Sequence, residues 1–141
     1  MNVEVNYLAI LVAAVASMAA GFLWYGPMLF AKPWMKLMGY TTETMKKEQS
    51  KMGKIYGVSF VLSLLTAYVL THIMALSQNF FHYSPVMTGV TSAFWAWLGF
   101  VMPVQATDIL FGGKKLQLFA INTGYQLASL LAMGVVLGLM K

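Results

Sequence analysis

The chain has 141 residues, of which 60% are hydrophobic and only 9% charged, and its mean hydropathy is +0.71. Soluble domains carry roughly 25% charged residues, so this composition excludes an ordinary soluble protein and indicates an integral membrane protein. The net charge of +5 comes from nine lysines against four acids. Because the lysines lie between apolar segments, membrane topology explains them better than nucleic-acid binding does. The absence of cysteine from the sequence excludes disulfide and thiolate chemistry.

Four apolar segments are each close to the roughly 20 residues that a bilayer core requires. They cover about residues 7–25, 55–76, 85–111 and 116–140. We therefore expect an all-α integral membrane protein that forms a single domain over residues 1–141. Its four transmembrane helices should pack as a bundle in up-down order.

The segment between the first two spans, residues 28–54, has a more polar composition and is predicted to be a loop. Met28–Gly39 has apolar residues at helical spacing on one side and two lysines on the other. It is too short to cross a membrane, and this pattern predicts an amphipathic helix that lies in the membrane plane. We expect a separate polar helix over Thr42–Met52, and Gly53 should divide it from the second span.

The positions of the lysines predict the orientation of the chain. Six lie in the first loop and two in the third, whereas the second loop has none. By the positive-inside rule, the first and third loops face the cytoplasm and both termini lie outside it. Four lysines of the first loop should lie where anionic headgroups attract them, which makes membrane lipids expected partners. These lipid-facing residues are Lys46, Lys47, Lys51 and Lys54.

Aromatic and small residues indicate how the helices are anchored and packed. Trp24, Tyr25 and Trp34 are typical interfacial anchors. Small residues recur at every fourth position of the first and fourth spans, a pattern that lets helix backbones approach closely in lipid. The predicted packing residues are Ala13, Ser17, Gly21, Gly124, Gly134 and Gly138. Four thin helices enclose little space, so we expect a homo-oligomer with these strips at internal or subunit contacts.

Asp108 is the acidic residue that lies within an apolar segment, Phe94–Phe111. A carboxylate in lipid costs on the order of 3 kcal/mol at a helix centre, and less towards an end, so it needs a partner or a function. Pro103 lies one turn before it and lacks the N–H that would bond the carbonyl of Gly99. We therefore expect Pro103 to kink the third span.

The residues expected to surround Asp108 form a polar cluster in the inner leaflet. Gln105 shares its helix face, and two amides share a face of the fourth span at a similar depth. The predicted cluster is Gln105, Asp108, Asn122 and Gln126. It could form a polar vestibule or cation site. Alternatively, Asp108 pairs with Lys114 or Lys115 at the interface while the amides cross-link helices.

Several short motifs, in their order and spacing, resemble a bacterial family of small four-span membrane proteins, domain of unknown function 1761. The motifs are Gly21–Pro27 (GFLWYGP), Lys32, Trp34-Met35, Met52-Gly53-Lys54 with Tyr56-Gly57, Trp97-Leu98-Gly99-Phe100 with Pro103, Leu110-Phe111, Ile121-Asn122 with Gly124-Tyr125, and Met133-Gly134. The resemblance covers nearly all of the chain. It implies a four-helix membrane fold in a bacterial inner membrane, and it brings no activity, substrate or catalytic residue.

Two functions of different class fit the sequence. No nucleophile–base pair, phosphate loop or metal-hydrolase motif appears in it, so we predict no catalytic residue, metal or cofactor. The first function is a non-enzymatic, homo-oligomeric helical assembly. The alternative is a channel or transporter for a small solute or an ion, with a polar vestibule around Asp108. The two differ in whether the polar cluster contacts water, and no small-molecule ligand can be named from the sequence.

Overall fold

A computed structural model describes residues 3–141, and within that range it contains six α-helices, one π-helical turn and no strand. Four helices are long and apolar enough to cross a membrane, with α4, the π-helical turn and α5 forming one continuous helix. These findings confirm an all-α fold with four candidate spans. The elements are α1 (Tyr7–Trp24), α2 (Ala31–Met38), α3 (Thr42–Phe81), α4 (Pro85–Ala96), the π-helical turn (Trp97–Val101), α5 (Met102–Gly112) and α6 (Leu116–Leu139).

Local hydrogen bonds fix both ends of α1. The helix begins after Asn6, whose side-chain oxygen accepts a hydrogen bond of 3.1 Å from the N–H of Ala9. It ends in a tight turn in which the N–H of Phe30 donates to the carbonyl of Trp24 at 3.1 Å. Gly26 makes this turn possible, because a Cβ there would lie 2.7 Å from a carbonyl oxygen of the last helical turn. The turn returns α2 to the bundle, where it packs against α6.

The structure differs from the sequence prediction at α3. The predicted polar helix Thr42–Met52, the break at Gly53 and the second span, 55–76, are parts of one unbroken helix of 40 residues that continues to Phe81. Gly53 has open space around it, and a lone glycine inside a helix costs only about 1 kcal/mol, which is too little to stop its strong helix-forming neighbours. A helix of this length extends about 60 Å. It is therefore twice as long as the roughly 30 Å of a bilayer core.

Pro103 does not end the third span, which runs from Pro85 to Gly112. Instead, the π-helical turn precedes it, and the N–H of Met102 donates to the carbonyl of Trp97, five residues back. A proline ring clashes with the carbonyl four residues before it, and a π-helical turn widens the helix where that carbonyl lies. The predicted irregularity at Pro103 thus takes the form of a local widening within a continuous helix.

The central helix of the bundle is α6, which packs against α1, α2, α3, α4 and α5. Small and apolar side chains fill the core between them. Its buried members are Ala9, Ile10, Ala13, Ala67, Leu70, Met74, Ala93, Leu130, Met133 and Leu137. The buried hydroxyls of Ser17 and Ser129 form a hydrogen bond of 2.5 Å that links α1 to α6 inside this core.

Backbone contact joins α4 to α6. Gly89 and Gly134 face each other so closely that a Cβ on either would overlap the backbone of the other. One turn further, a Cβ on Gly138 would lie 2.7 Å from the carbonyl oxygen of Pro85. Such proximity maximises the van der Waals contact that holds helices together in lipid. The GxxxG pair of the fourth span therefore packs within the chain.

We expect Gly134→Ala to destabilise the protein by about 1–3 kcal/mol, because the added methyl group forces α4 and α6 apart. The measurement is thermal unfolding of the purified protein in detergent, followed by circular dichroism. Gly57→Ala is the matched control, since Gly57 lies within α3 and a Cβ there meets nothing within 4 Å. Equal melting temperatures for the two variants would contradict the contact.

Candidate functional site

The packing of α3 leaves a groove along one end of the bundle. The buried residues of α3 are Ala67, Leu70 and Met74, and none of its residues before Ala67 is buried. The preceding half of α3 is therefore not packed tightly against α1 and α6. We call this end of the bundle the lysine end, because residues 32–54 and 114–115 carry eight of the nine lysines.

The amphipathic groove at the lysine end has a volume of about 510 Å³ and lies between α1, α2, α3 and α6. Its surface is mostly apolar, and methionines line it on three of these helices. The apolar lining residues are Met18, Phe22, Met38, Met45, Met52 and Ile55. Polar groups are fewer and are supplied by Tyr25, Tyr56, Ser59, Lys114 and Asn122. The groove thus combines a flexible apolar surface with a small polar region.

Tyr25 lines the groove and bonds to α6. Its phenol O–H donates a hydrogen bond of 2.7 Å to the side-chain oxygen of Asn122. Its ring packs against Trp34 and Tyr125, with centroid distances of 5.5 and 5.2 Å. Tyr25 follows the candidate span Tyr7–Trp24, and its burial, with a smaller contribution from Tyr125, raises its pKa to about 12. The phenol therefore stays protonated near neutral pH and remains a donor.

Two indoles from different helical segments donate hydrogen bonds to the backbone of α6, at the residues before and after Asn122. Trp24 donates to the carbonyl of Ile121 at 2.9 Å, and Trp97, in the π-helical turn, donates to the carbonyl of Thr123 at 2.8 Å. Gly124 provides the room for this arrangement, because a Cβ there would lie 2.9 Å from the ring of Trp24. The residues predicted as interfacial anchors at the end of the first span therefore also fix α1 to α6.

A polar cavity of about 160 Å³ lies between α5 and α6. Gln105, Asp108 and Asn122 all line it, so the structure brings together three of the four residues predicted to meet. Gln126 lies one turn further along α6, half-buried and outside this lining. The side-chain oxygen of Gln105 is shielded from solvent and has no hydrogen-bond partner within the described range. Gln105 therefore lines the cavity through its other atoms, and its unsatisfied oxygen lies beneath the surface.

Asp108 is exposed and shares the cavity with Lys114 without forming an ion pair. Across residues 3–141, the ion pair present within 4.0 Å joins Lys51 to Glu48, at 3.7 Å on the surface of α3. The predicted pairing of Asp108 with Lys114 or Lys115 is thus not formed. Both charges of the cavity remain free of a protein counter-ion.

The groove and the cavity are adjacent, because Lys114 and Asn122 line both of them. Together they form one composite site with an apolar part and a polar part. The sequence prediction located the polar part and missed the apolar part. A usable signal was present in Met45, Met52 and Ser59, which recur every seven residues and therefore share one face of a helix that is otherwise polar at its start.

The model of one protein family matches residues 8–138 of the chain, and its description is "Protein of unknown function (DUF1761)". This match confirms the resemblance that the motifs indicated. A search of curated proteins and a search of solved structures each gave no significant match.

We expect Trp97→Phe to lower stability by about 1 kcal/mol, because the ring is kept while the hydrogen bond to the carbonyl of Thr123 is lost. Unfolding in detergent, followed by circular dichroism, measures the change. Trp95→Phe is the control, since Trp95 is 65% exposed and lies beside the same helix segment. A loss no larger in Trp97→Phe than in the control would show that the indole bond contributes nothing.

Proposed function

The chain belongs to the family described as Protein of unknown function (DUF1761), and we propose that this member is a non-enzymatic membrane protein that binds an amphiphilic molecule. The apolar part of the ligand occupies the amphipathic groove between α1 and α3. Its polar part points to Lys114 and Asn122, where the groove meets the polar cavity.

One observation carries this proposal: the groove is mostly apolar, and it shares the polar residues Lys114 and Asn122 with the cavity. Ligand sites in proteins are typically concavities of about 300–1,000 Å³, mostly apolar, with a few polar groups that orient the ligand. The groove falls within this range. Methionines line its walls, and their unbranched thioether side chains adapt to flexible apolar ligands.

The proposed site lies at the cytoplasmic side of the membrane. The lysine-rich loops support this orientation through the positive-inside rule. In this arrangement α2 lies in the membrane plane, since Lys32 and Lys36 are exposed while Trp34 and Met38 line the groove. A ligand from the inner leaflet could then enter between α2 and α3.

Homo-oligomerisation remains a proposal, and the internal packing restricts how it could occur. Each of the six small residues predicted for packing is buried or half-buried in the protomer. Gly21 faces Tyr125, and the GxxxG glycines contact α4. A second copy would therefore have to pack on larger exposed side chains, such as Trp95 and Phe100.

A channel is not favoured, because the polar cavity meets a closed core. Beyond Asn122, α6 presents the buried residues Ser129, Leu130 and Met133 towards its neighbours. The hydroxyl of Ser129 is already bonded to Ser17, and α4 touches α6 through backbone. This packing supports a site that ends inside the bundle.

To test binding, we would expose the detergent-purified chain to an equimolar mixture of phosphatidylethanolamine, phosphatidylglycerol and phosphatidylcholine and count retained lipids by native mass spectrometry. The wild-type chain should retain one lipid. Ser59→Phe fills the groove and should reduce that retention at least tenfold. Val58→Phe, at an exposed neighbour outside the groove lining, should bind as the wild type does. Retention that is absent in the wild type, or equal in both variants, would exclude the proposed site.

The orientation can be tested separately because the chain contains no cysteine. Lys47→Cys and Tyr83→Cys each introduce a single thiol, at the lysine end and in the loop between α3 and α4. In intact cells, a membrane-impermeant maleimide should label Tyr83→Cys and leave Lys47→Cys unlabelled until the membrane is opened. The reverse pattern would invert the topology.

A further inference from the structure

We propose that the bound amphiphile has a zwitterionic headgroup with a primary ammonium and a phosphate, as in a phosphoethanolamine lipid. This inference rests on the proposed function, since it assigns the headgroup of the molecule in the groove. The ammonium binds in the polar cavity at the carboxylate of Asp108. The phosphate binds to Lys114, at the border between the cavity and the groove.

The cavity supplies a carboxylate that can accept several hydrogen bonds. The carboxylate of Asp108 is exposed, lines the cavity and has no lysine partner within 4.0 Å among residues 3–141. A primary ammonium carries three N–H donors and one positive charge. It can therefore donate hydrogen bonds to the carboxylate of Asp108 and neutralise its charge.

Lys114 supplies the complementary charge at the opening of the cavity. It lines both the cavity and the groove, and it makes no ion pair within 4.0 Å of its ammonium among residues 3–141. Lysine binds phosphate as a compact point charge through charge-assisted hydrogen bonds. The phenol of Tyr25 cannot compete for the phosphate, because it already donates to Asn122.

The arrangement discriminates between headgroups through their donors. Phosphatidylcholine carries a quaternary ammonium without any N–H, so it can donate no hydrogen bond to the carboxylate of Asp108. Phosphatidylglycerol has the phosphate but no cation, so Asp108 keeps its uncompensated charge. Charge complementarity therefore favours the ethanolamine headgroup, while all three lipids share the same acyl chains for the groove.

The experiment measures which lipid the full-length chain retains from the equimolar mixture of the three, all with identical acyl chains. The wild type should retain phosphatidylethanolamine at least fivefold over either competitor. Asp108→Asn should reduce that preference to about equal retention while still binding one lipid per chain. Glu48→Gln, which removes an exposed carboxylate on α3, is the matched control and should keep the preference.

Lys114→Gln provides a second measurement. It should weaken retention of both phosphatidylethanolamine and phosphatidylglycerol, whereas a dialkyl amine without phosphate should bind it as well as it binds the wild type. Stoichiometric retention without any headgroup preference would overturn the zwitterion assignment and leave the groove proposal standing. Loss of all lipid from the wild type would instead exclude the proposed function itself. Unchanged preference in Asp108→Asn would exclude the ammonium position.

Discussion

The structure depends on the side-chain-free contact between α4 and α6 at Gly89 and Gly134. In lipid, apolar surface gains nothing by burial alone, so helices associate where their backbones can come close or where polar groups bond. This contact fixes the direction of α4, and the continuous helix that follows it carries Asp108 to the side of α6. The polar cavity therefore exists because two glycines oppose each other near the other end of the bundle.

The groove exists because, within residues 3–141, the first half of α3 lacks such close backbone contacts and polar bonds to its neighbours. Ala67 gives α3 one close approach to the core, and no residue before it is buried. On α1, by contrast, Ser17 bonds to α6 and Trp24 donates to a carbonyl of that helix. Tight association on one side and weak association on the other leave space between them. A groove can thus form in a small bundle without a cavity inside its core.

Features of the fold that depend on local sequence can be predicted from it, whereas features that depend on contacts between helices cannot. The presence of four apolar spans follows from local composition, and the structure contains four helices that are long and apolar enough to be those spans. The break expected at Gly53 is absent, because helix continuity depends on the neighbouring residues as well as on one weak helix former. The π-helical turn before Pro103, the indole bonds to α6 and the separation of Gln126 from the cavity depend on side-chain directions between helices. Those directions are set by the packed bundle and leave no periodic pattern in the amino-acid sequence.

Because α3 is unbroken, its N-terminal segment moves together with its apolar part. Its N-terminal segment, Thr42–Gly53, extends about 18 Å past the apolar part of the helix. The helix is buried in the core only from Ala67 onwards. A transmembrane helix tilts when the thickness of the bilayer changes. Any such tilt of α3 displaces its N-terminal segment, and with it Met45 and Met52, relative to α1. If α3 tilts in this way, the width of the groove changes with the thickness of the surrounding membrane.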